Sequence, residues 1–153
     1  MDCLESGKPL IVLFAARLLK DKGLDTLMSA LDSVKRQGID VELWVAGLFD
    51  LDSKNSYTEK EIQTLSDDGT IKWLGSVSGK GMPSVLNSVD IVALPTRYGE
   101  GIPRILIEAG ATARVVLTSN VSGCNEFISD KINGRLLNPV SYTHLTLPTK
   151  PKV

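Results

Sequence analysis

The stretch from Tyr98 to Glu108 contains the residues of this 153-residue chain whose types and spacing most directly indicate chemistry. Two carboxylates, Glu100 and Glu108, occur in it, and Gly99 and Gly101 flank the first of them. Glycine permits positive φ and allows a ligand to approach the backbone closely. This stretch therefore predicts a ligand-binding loop with two acidic groups beside it.

A strand and a helix are predicted to position that loop. Ile91–Leu94 is rich in strand-forming residues, and Pro103 suits the first turn of a helix because it has no N–H to lose there. The helix has an apolar face, formed by Ile105, Leu106, Ala109 and Ala113. In a parallel α/β sheet, a glycine loop before a helix directs free N–H groups and the positive end of the helix dipole at the ligand crevice. This arrangement predicts a phosphate site.

Two basic residues, Arg17 and Lys22, follow the first predicted strand, Pro9–Ala15. Loops after strands are generally polar, so these residues are open to interpretation as ordinary solvated charges. Their position at the carboxyl end of a parallel strand favours an anion site.

Strand and helix alternate along the chain, which predicts a Rossmann-like α/β fold with a parallel sheet flanked by helices. Predicted helices begin near Leu24, near Thr58 with capping-box spacing, near Pro83 and near Pro103, and Asn125 is expected to cap a short helix that reaches Ile128. The remaining predicted strands are Val41–Ala46, Ile71–Gly75, Ile91–Leu94, Val115–Thr118 and Arg135–Leu137.

Other chemistry finds less support in the sequence. The Glu100–Glu108 pair is consistent with two solvated charges, and hydrolysis of a glycoside is disfavoured because eight helical residues span ~12 Å whereas glycosidase carboxyls lie ~5 to 9.5 Å apart. Glu126 fits either a ligand contact or the first turn of a short helix. No base is found for Cys124 as a nucleophile, and neither a Walker loop nor a dinucleotide glycine fingerprint follows the first strand.

Composition limits the function further. With 17 basic and 18 acidic residues the formal net charge is -1, so nothing indicates a nucleic-acid partner. No apolar run approaches the ~20 residues that cross a bilayer, and the N-terminus lacks the features of a signal peptide, so we expect a cytoplasmic protein. Cys3 and Cys124 are expected to be free thiols.

The segment from Glu100 to Ala109, a Glu followed after seven residues by Glu-Ala, resembles the donor-binding half of GT-B glycosyltransferases, specifically the retaining glycosyltransferase family 4 (group 1). The segments Val115–Thr118 and Gly123–Glu126 extend the match, which ends at about Pro139. The Glu-Gly-Ile-Pro variant at 100–103 resembles the branch that uses nucleotide sugars in bacterial surface polysaccharide assembly.

The resemblance implies a role for each matching residue. Arg17 and Lys22 neutralise the diphosphate leaving group, and with Glu100, which contacts the donor sugar, they form the expected catalytic set. Glu108 holds the ribose hydroxyls, and Gly75 lies beside the base. Backbone N–H groups of the segment Gly101, Ile102, Pro103 and Arg104 add dipole stabilisation. No metal or other cofactor is expected.

The chain departs from the family pattern in two places. Ala16 stands where a glycine is usual, before Arg17. Ala113 follows the central helix where a glycine is usual, so either it adopts the left-handed conformation at a cost of about 1 kcal/mol or the helix ends differently.

The resemblance also implies a larger enzyme. Residues 1–139 are interpreted as the Rossmann-like donor domain, a fragment without its N-terminal acceptor domain, and residues 140–153 as a tail of non-native character that contains the only histidine, His144. The implied activity is hexosyl transfer from a UDP-sugar to a glycan acceptor, which includes lipid-linked glycans, at the inner membrane face; the isolated fragment is expected to be inactive. A non-catalytic nucleotide-sugar binding module and half of a GT-B type sugar epimerase are the alternatives.

Overall fold

The computed structural model describes residues 7–99 and 101–138. It contains one six-stranded sheet, in which every pair of neighbouring strands is parallel, with the order β3-β2-β1-β4-β5-β6. The strands are β1 Leu10–Ala15, β2 Val41–Ala46, β3 Lys72–Gly75, β4 Ile91–Leu94, β5 Val115–Ser119 and β6 Arg135–Leu137. The predicted Rossmann-like fold class is confirmed.

Five α-helices connect these strands in the described part of the chain. They are α1 Leu24–Arg36, α2 Glu59–Asp67, α3 Met82–Ser88, α4 Arg104–Ala111 and α5 Cys124–Phe127, and a short 3-10 helix, Lys20–Lys22, precedes α1. The capping prediction for α2 is confirmed, because the Thr58 hydroxyl accepts a hydrogen bond from the Glu61 backbone N–H at 3.1 Å.

The central strands carry the core. β1 is covered on both sides, so consecutive residues Leu13 and Phe14 are both 0% exposed, and Val92 of the neighbouring β4 is also 0% exposed. This is the pattern of a parallel strand between two helical layers, for which a continuous apolar run is the sequence signal. The buried sheet centre fixes the carboxyl ends of β1 and β4 side by side.

The loop before α4 differs in detail from the prediction. Gly99 lies outside the positive-φ region. Gly99 is instead required by close packing, since a Cβ there would lie 2.8 Å from the Ser122 backbone nitrogen and Cβ. Pro103 is the residue before the helix rather than its first residue, and its φ of -62 and ψ of 131 are extended. The helix therefore begins one residue later than expected.

Two predicted helix ends have different outcomes. Ala113 has a φ of 56, so the first alternative, a left-handed alanine after α4, is confirmed. The prediction that Asn125 caps α5 is wrong, because α5 begins at Cys124 and the Asn125 side-chain amide donates to the Asn120 side-chain oxygen at 3.0 Å. Asparagine suits a cap, but here a neighbouring amide is its partner.

Several sequence predictions fall outside the described residues. They include Glu100, Cys3, His144 and the tail that begins at residue 140. Cys124 is described and is 0% exposed, as expected for a buried small residue. Within residues 7–99 and 101–138, none of the helices has both the length and the apolar character needed to cross a bilayer.

Candidate functional site

A cavity of about 360 Å³ opens at the carboxyl ends of β1 and β4. β1 and β4 are neighbours in the sheet although two strands separate them in sequence, so the connections leave this point in opposite directions. Open parallel sheets bind their ligands in the crevice outside such a switch point. The cavity therefore lies where the fold predicts a ligand site.

Three connections supply the cavity walls. The segment after β1 contributes Arg17 and Lys22, the segment after β4 contributes Thr96 and the start of α4, and the segment after β5 contributes Ser122. The other lining residues are Ala15, Ala16, Leu94, Tyr98, Gly101, Pro103, Arg104, Ile105 and Cys124. Among the described lining residues, Arg17, Lys22 and Arg104 are cationic and none is acidic. The charge of this lining suits an anion.

The cations are held in different ways. The Arg17 side chain is 59% exposed, and its Nη1 lies 3.3 Å from Asp50 Oδ2. The Arg104 side chain is 82% exposed, and its Nε lies 3.6 Å from Glu108 Oε1. Lys22 belongs to the 3-10 helix and is half-buried beside the cavity. Exposure leaves the long arginine side chains able to adjust to a ligand.

The N-terminus of α4 reaches the same cavity through Pro103, Arg104 and Ile105. The first N–H groups of a helix have no carbonyl partner within it, and they carry the positive end of its dipole. Proline has no N–H, so the donors of the segment 101–104 are Gly101, Ile102 and Arg104. Main-chain and side-chain positive charge thus converge on one space.

The loop after β5 closes the cavity on the side of Ser122 and Cys124. Glu126 Oε1 accepts a hydrogen bond from the Gly123 backbone N–H at 3.3 Å and lies 3.4 Å from the Ser122 hydroxyl. Of the two interpretations of Glu126, the structure matches the one that places it in the first turn of a short helix. Its carboxylate supports the loop that forms this wall.

Some predicted site residues lie elsewhere. Gly75, Ile102 and Glu108 do not line the cavity. Gly75 has a φ of 73 at the end of β3, and its carbonyl accepts from the Gly47 N–H at 2.9 Å. Glu108 faces Arg104 one turn along α4, and its side chain is 25% exposed. Glu100 is outside the described residues, so its predicted sugar contact stays a prediction.

The sequence reasoning missed Asp50, Thr96 and Ser122. Thr96 and Ser122 line the cavity, and Asp50 contacts a cation that does. All three stand shortly after the carboxyl end of a strand: Asp50 follows β2, Thr96 follows β4 and Ser122 follows β5. Position after a parallel strand was therefore the available signal, and it applies to polar residues as well as to glycines and cations.

Comparison with known proteins identifies one family and a set of enzymes. The family described as Glycosyl transferases group 1 matches residues 3–146. The chain is 32% identical over 138 residues to the amylovoran biosynthesis glycosyltransferase AmsK of Erwinia amylovora, covering 84% of this chain and 32% of that protein. It is 28% identical over 136 residues to the lipopolysaccharide 1,2-N-acetylglucosaminetransferase of Salmonella typhimurium, covering 86% and 36%.

Solved structures share the fold. Anabaena Alr3699/HepE, in complex with UDP-glucose, superposes with a TM-score of 0.74 at 22% identity, covering 92% of this chain and 38% of that one. The sucrose-phosphate synthase of Thermosynechococcus elongatus gives a TM-score of 0.73 at 19% identity, covering 95% and 38%. The chain thus spans about a third of the length of the curated relatives it matches.

Proposed function

Because the chain belongs to the Glycosyl transferases group 1 family, we propose that it is the nucleotide-sugar-binding domain of a retaining, family 4 glycosyltransferase. The observation that carries this proposal is the convergence of Arg17, Lys22 and the N-terminus of α4 on one cavity at the switch point of the sheet. Such a site is suited to the diphosphate of a nucleotide sugar.

The cavity chemistry supports a role in leaving-group stabilisation. When a glycosidic donor bond breaks, negative charge develops on the departing diphosphate. Arg17 and Lys22 supply positive charge and hydrogen bonds to it, and the amides at the start of α4 add fixed dipoles. These groups are proposed to replace a metal ion, so that the reaction needs no cofactor.

The remaining donor contacts extend the proposal along the nucleotide sugar. Glu108 is proposed to accept hydrogen bonds from the ribose hydroxyls, and Gly75 to lie beside the base. Glu100 is proposed to contact the sugar. Glu108 Oε1 lies 3.6 Å from Arg104 Nε, and the Arg104 side chain is 82% exposed. This exposed ion pair is able to separate, which leaves the Glu108 carboxylate available to the ribose.

A uridine-diphosphate hexose is the proposed donor, and bacterial surface polysaccharide or glycolipid assembly is the proposed process. Support comes from the relatives, which include enzymes of amylovoran, lipopolysaccharide and capsular polysaccharide synthesis, and from the UDP-glucose complex of Alr3699/HepE. The acceptor is proposed to be a glycan, with lipid-linked glycans included, processed at the cytoplasmic face of the inner membrane.

The acceptor site is proposed to lie on a separate N-terminal domain. This chain corresponds to about a third of its curated relatives, and the cavity is open at the sheet edge, where a second domain is able to enclose the donor. Transfer requires water to be excluded from the reacting atoms. The isolated chain is therefore expected to bind donor without transferring its sugar.

Calorimetric titration tests the donor site. Uridine, UDP and a UDP-sugar are titrated into the wild-type chain and into Arg17→Ala, Lys22→Ala and the control Lys35→Ala, which lies in the last turn of α1. Each site substitution removes charge-assisted hydrogen bonds of about 1.5 to 3 kcal/mol, so UDP affinity is expected to fall about tenfold or more while uridine affinity is unchanged.

Two outcomes contradict the proposal. If the wild-type chain binds none of UDP, a UDP-sugar, GDP and a GDP-sugar, it contains no working donor site. If it binds UDP but Arg17→Ala and Lys22→Ala bind as tightly as Lys35→Ala, the phosphate contacts belong to other residues.

A further inference from the structure

The segment after β4 is fastened to the 3-10 helix that carries Lys22. The Arg97 backbone N–H donates to the Asp21 carbonyl at 2.9 Å. The Arg97 side chain donates from Nη2 to both carboxylate oxygens of Asp25, at 3.2 and 3.0 Å. Asp21 precedes Lys22 directly, and Asp25 lies in the first turn of α1. One residue therefore contacts the chain on both sides of Lys22, through the Asp21 carbonyl and the Asp25 carboxylate.

A third contact makes this connection close. Gly23 has a φ of 90, and a Cβ at that position would lie 2.0 Å from the Pro95 carbonyl oxygen. Only glycine allows this approach. Lys22 thus stands between Asp21, which is hydrogen-bonded to Arg97, and Gly23, which packs on Pro95. Both neighbours of the lysine are fixed by the segment 95–97.

We propose that Arg97 is a positioning residue for Lys22: its ion pair with Asp25 sets where the Lys22 ammonium meets the diphosphate. This inference rests on the proposed donor site. A lysine ammonium sits on a flexible four-carbon stem, so the backbone from which it extends decides where it can reach. A binding group is useful only when surrounding residues hold it close to its productive position.

The contribution of the Arg97–Asp25 pair is geometric rather than a matter of overall stability. The two side chains are 35% and 51% exposed, and ion pairs at such sites contribute little to folding. The same helix provides a matched control: Arg36 and Asp32 form an ion pair at 2.8 Å with side chains 80% and 58% exposed, in the last turns of α1. That pair is remote from Lys22 in sequence and joins no second segment.

The test is a thermodynamic cycle on UDP binding in the 153-residue chain. Arg97→Gln is expected to weaken UDP binding about threefold to tenfold and to leave uridine binding unchanged, while Arg36→Gln changes neither. In the Lys22→Ala background, Arg97→Gln is expected to have no further effect, because the residue through which it acts is gone. Arg97→Lys, which keeps the charge, is expected to recover part of the loss.

Several results overturn the proposal. A loss that persists at full size in the Lys22→Ala background shows that Arg97 acts independently of Lys22, and equal losses for UDP and uridine show a general structural defect. If the wild-type chain binds UDP and Arg97→Gln binds it equally tightly, the positioning role is contradicted and the proposed function is not. Failure of the wild-type chain to bind UDP contradicts the proposed function, and the positioning role with it.

Hydrogen exchange gives a readout that does not depend on a ligand. Amides of the 3-10 helix Lys20–Lys22 and of the residues that flank it, 19 and 23, are expected to exchange faster in Arg97→Gln than in the wild-type chain, because local opening sets their rate. Arg36→Gln is expected to leave those amides unchanged. If Arg97→Gln exchanges there at the wild-type rate, the ion pair does not hold the turn and the proposal fails.

Discussion

The Arg17 guanidinium donates a hydrogen bond to the Asp50 carboxylate, with Nη1 3.3 Å from Oδ2. Asp50 lies in the segment after β2, and Asp50 Oδ1 accepts from the Asp52 backbone N–H at 3.3 Å. Both oxygens of this carboxylate are therefore engaged. An acidic group would thus compete with the phosphate of the proposed donor for the Arg17 guanidinium.

Asp50→Asn is expected to strengthen UDP binding about twofold to fivefold, because an exposed ion pair contributes up to about 1 kcal/mol and the substitution returns that interaction to the ligand. The measurement is calorimetric titration at low and high salt, and the gain should shrink as salt screens the charges. Asp52→Asn is the control for a nearby carboxylate. Weaker binding in Asp50→Asn would instead show that the carboxylate orients Arg17 for the ligand.

Glu108→Gln is expected to weaken uridine and UDP together, by about fivefold, because an amide oxygen accepts hydrogen bonds from ribose less strongly than a carboxylate does. Titration of both ligands separates this pattern from that of the phosphate-binding residues. Glu59→Gln, at the first residue of α2, is the control. A loss restricted to UDP would assign Glu108 to the phosphate side of the site.

Ala113→Gly is expected to stabilise the chain by about 1 kcal/mol, because Ala113 has a φ of 56, where a Cβ is strained. Ala111→Gly provides a control of opposite sign, since that residue ends α4 in right-handed helical conformation and glycine there is expected to cost about 0.5 to 1 kcal/mol. Urea unfolding of the three proteins gives the comparison. Equal destabilisation by both substitutions would contradict a strained alanine.

Tyr57 is expected to titrate unusually late. Burial is the largest cause, followed by the negative charges of Asp25 and Glu61, and together with an opposing effect of Arg97 they raise its pKa from 10.0 to about 12. The fold thus favours the neutral phenol: this stabilisation is complete below pH 10.0 and is lost as the pH rises towards about 12. Phenolate absorbance should show a late-titrating tyrosine that Tyr57→Phe removes. Its persistence in Tyr57→Phe would assign the late titration to another residue.

The secondary structure was accessible from local sequence patterns. Each strand was predicted to within one residue at either end, from Leu10–Ala15 to Arg135–Leu137. For the central strands β1 and β4 the reason is that a strand buried between two helical layers is apolar along its whole length, and such a run is visible without knowledge of its neighbours. The errors occurred where local preference allows more than one answer, as at Asn125, whose side chain suits a helix cap but bonds to Asn120 instead.

Sequence by itself determined the alternating fold, the loop that leads into α4, and Arg17 and Lys22 as candidate anion-binding residues. Tertiary structure alone decided which residues from distant parts of the chain lie beside these two cations. Arg17 meets Asp50 from 33 positions away, and Arg97 meets Asp25 from 72 positions away. Both contacts exist because the sheet order puts β1 between β2 and β4, so that the segments after these strands come together at one edge. No periodicity along the chain encodes that order; it follows from how the helices and strands pack.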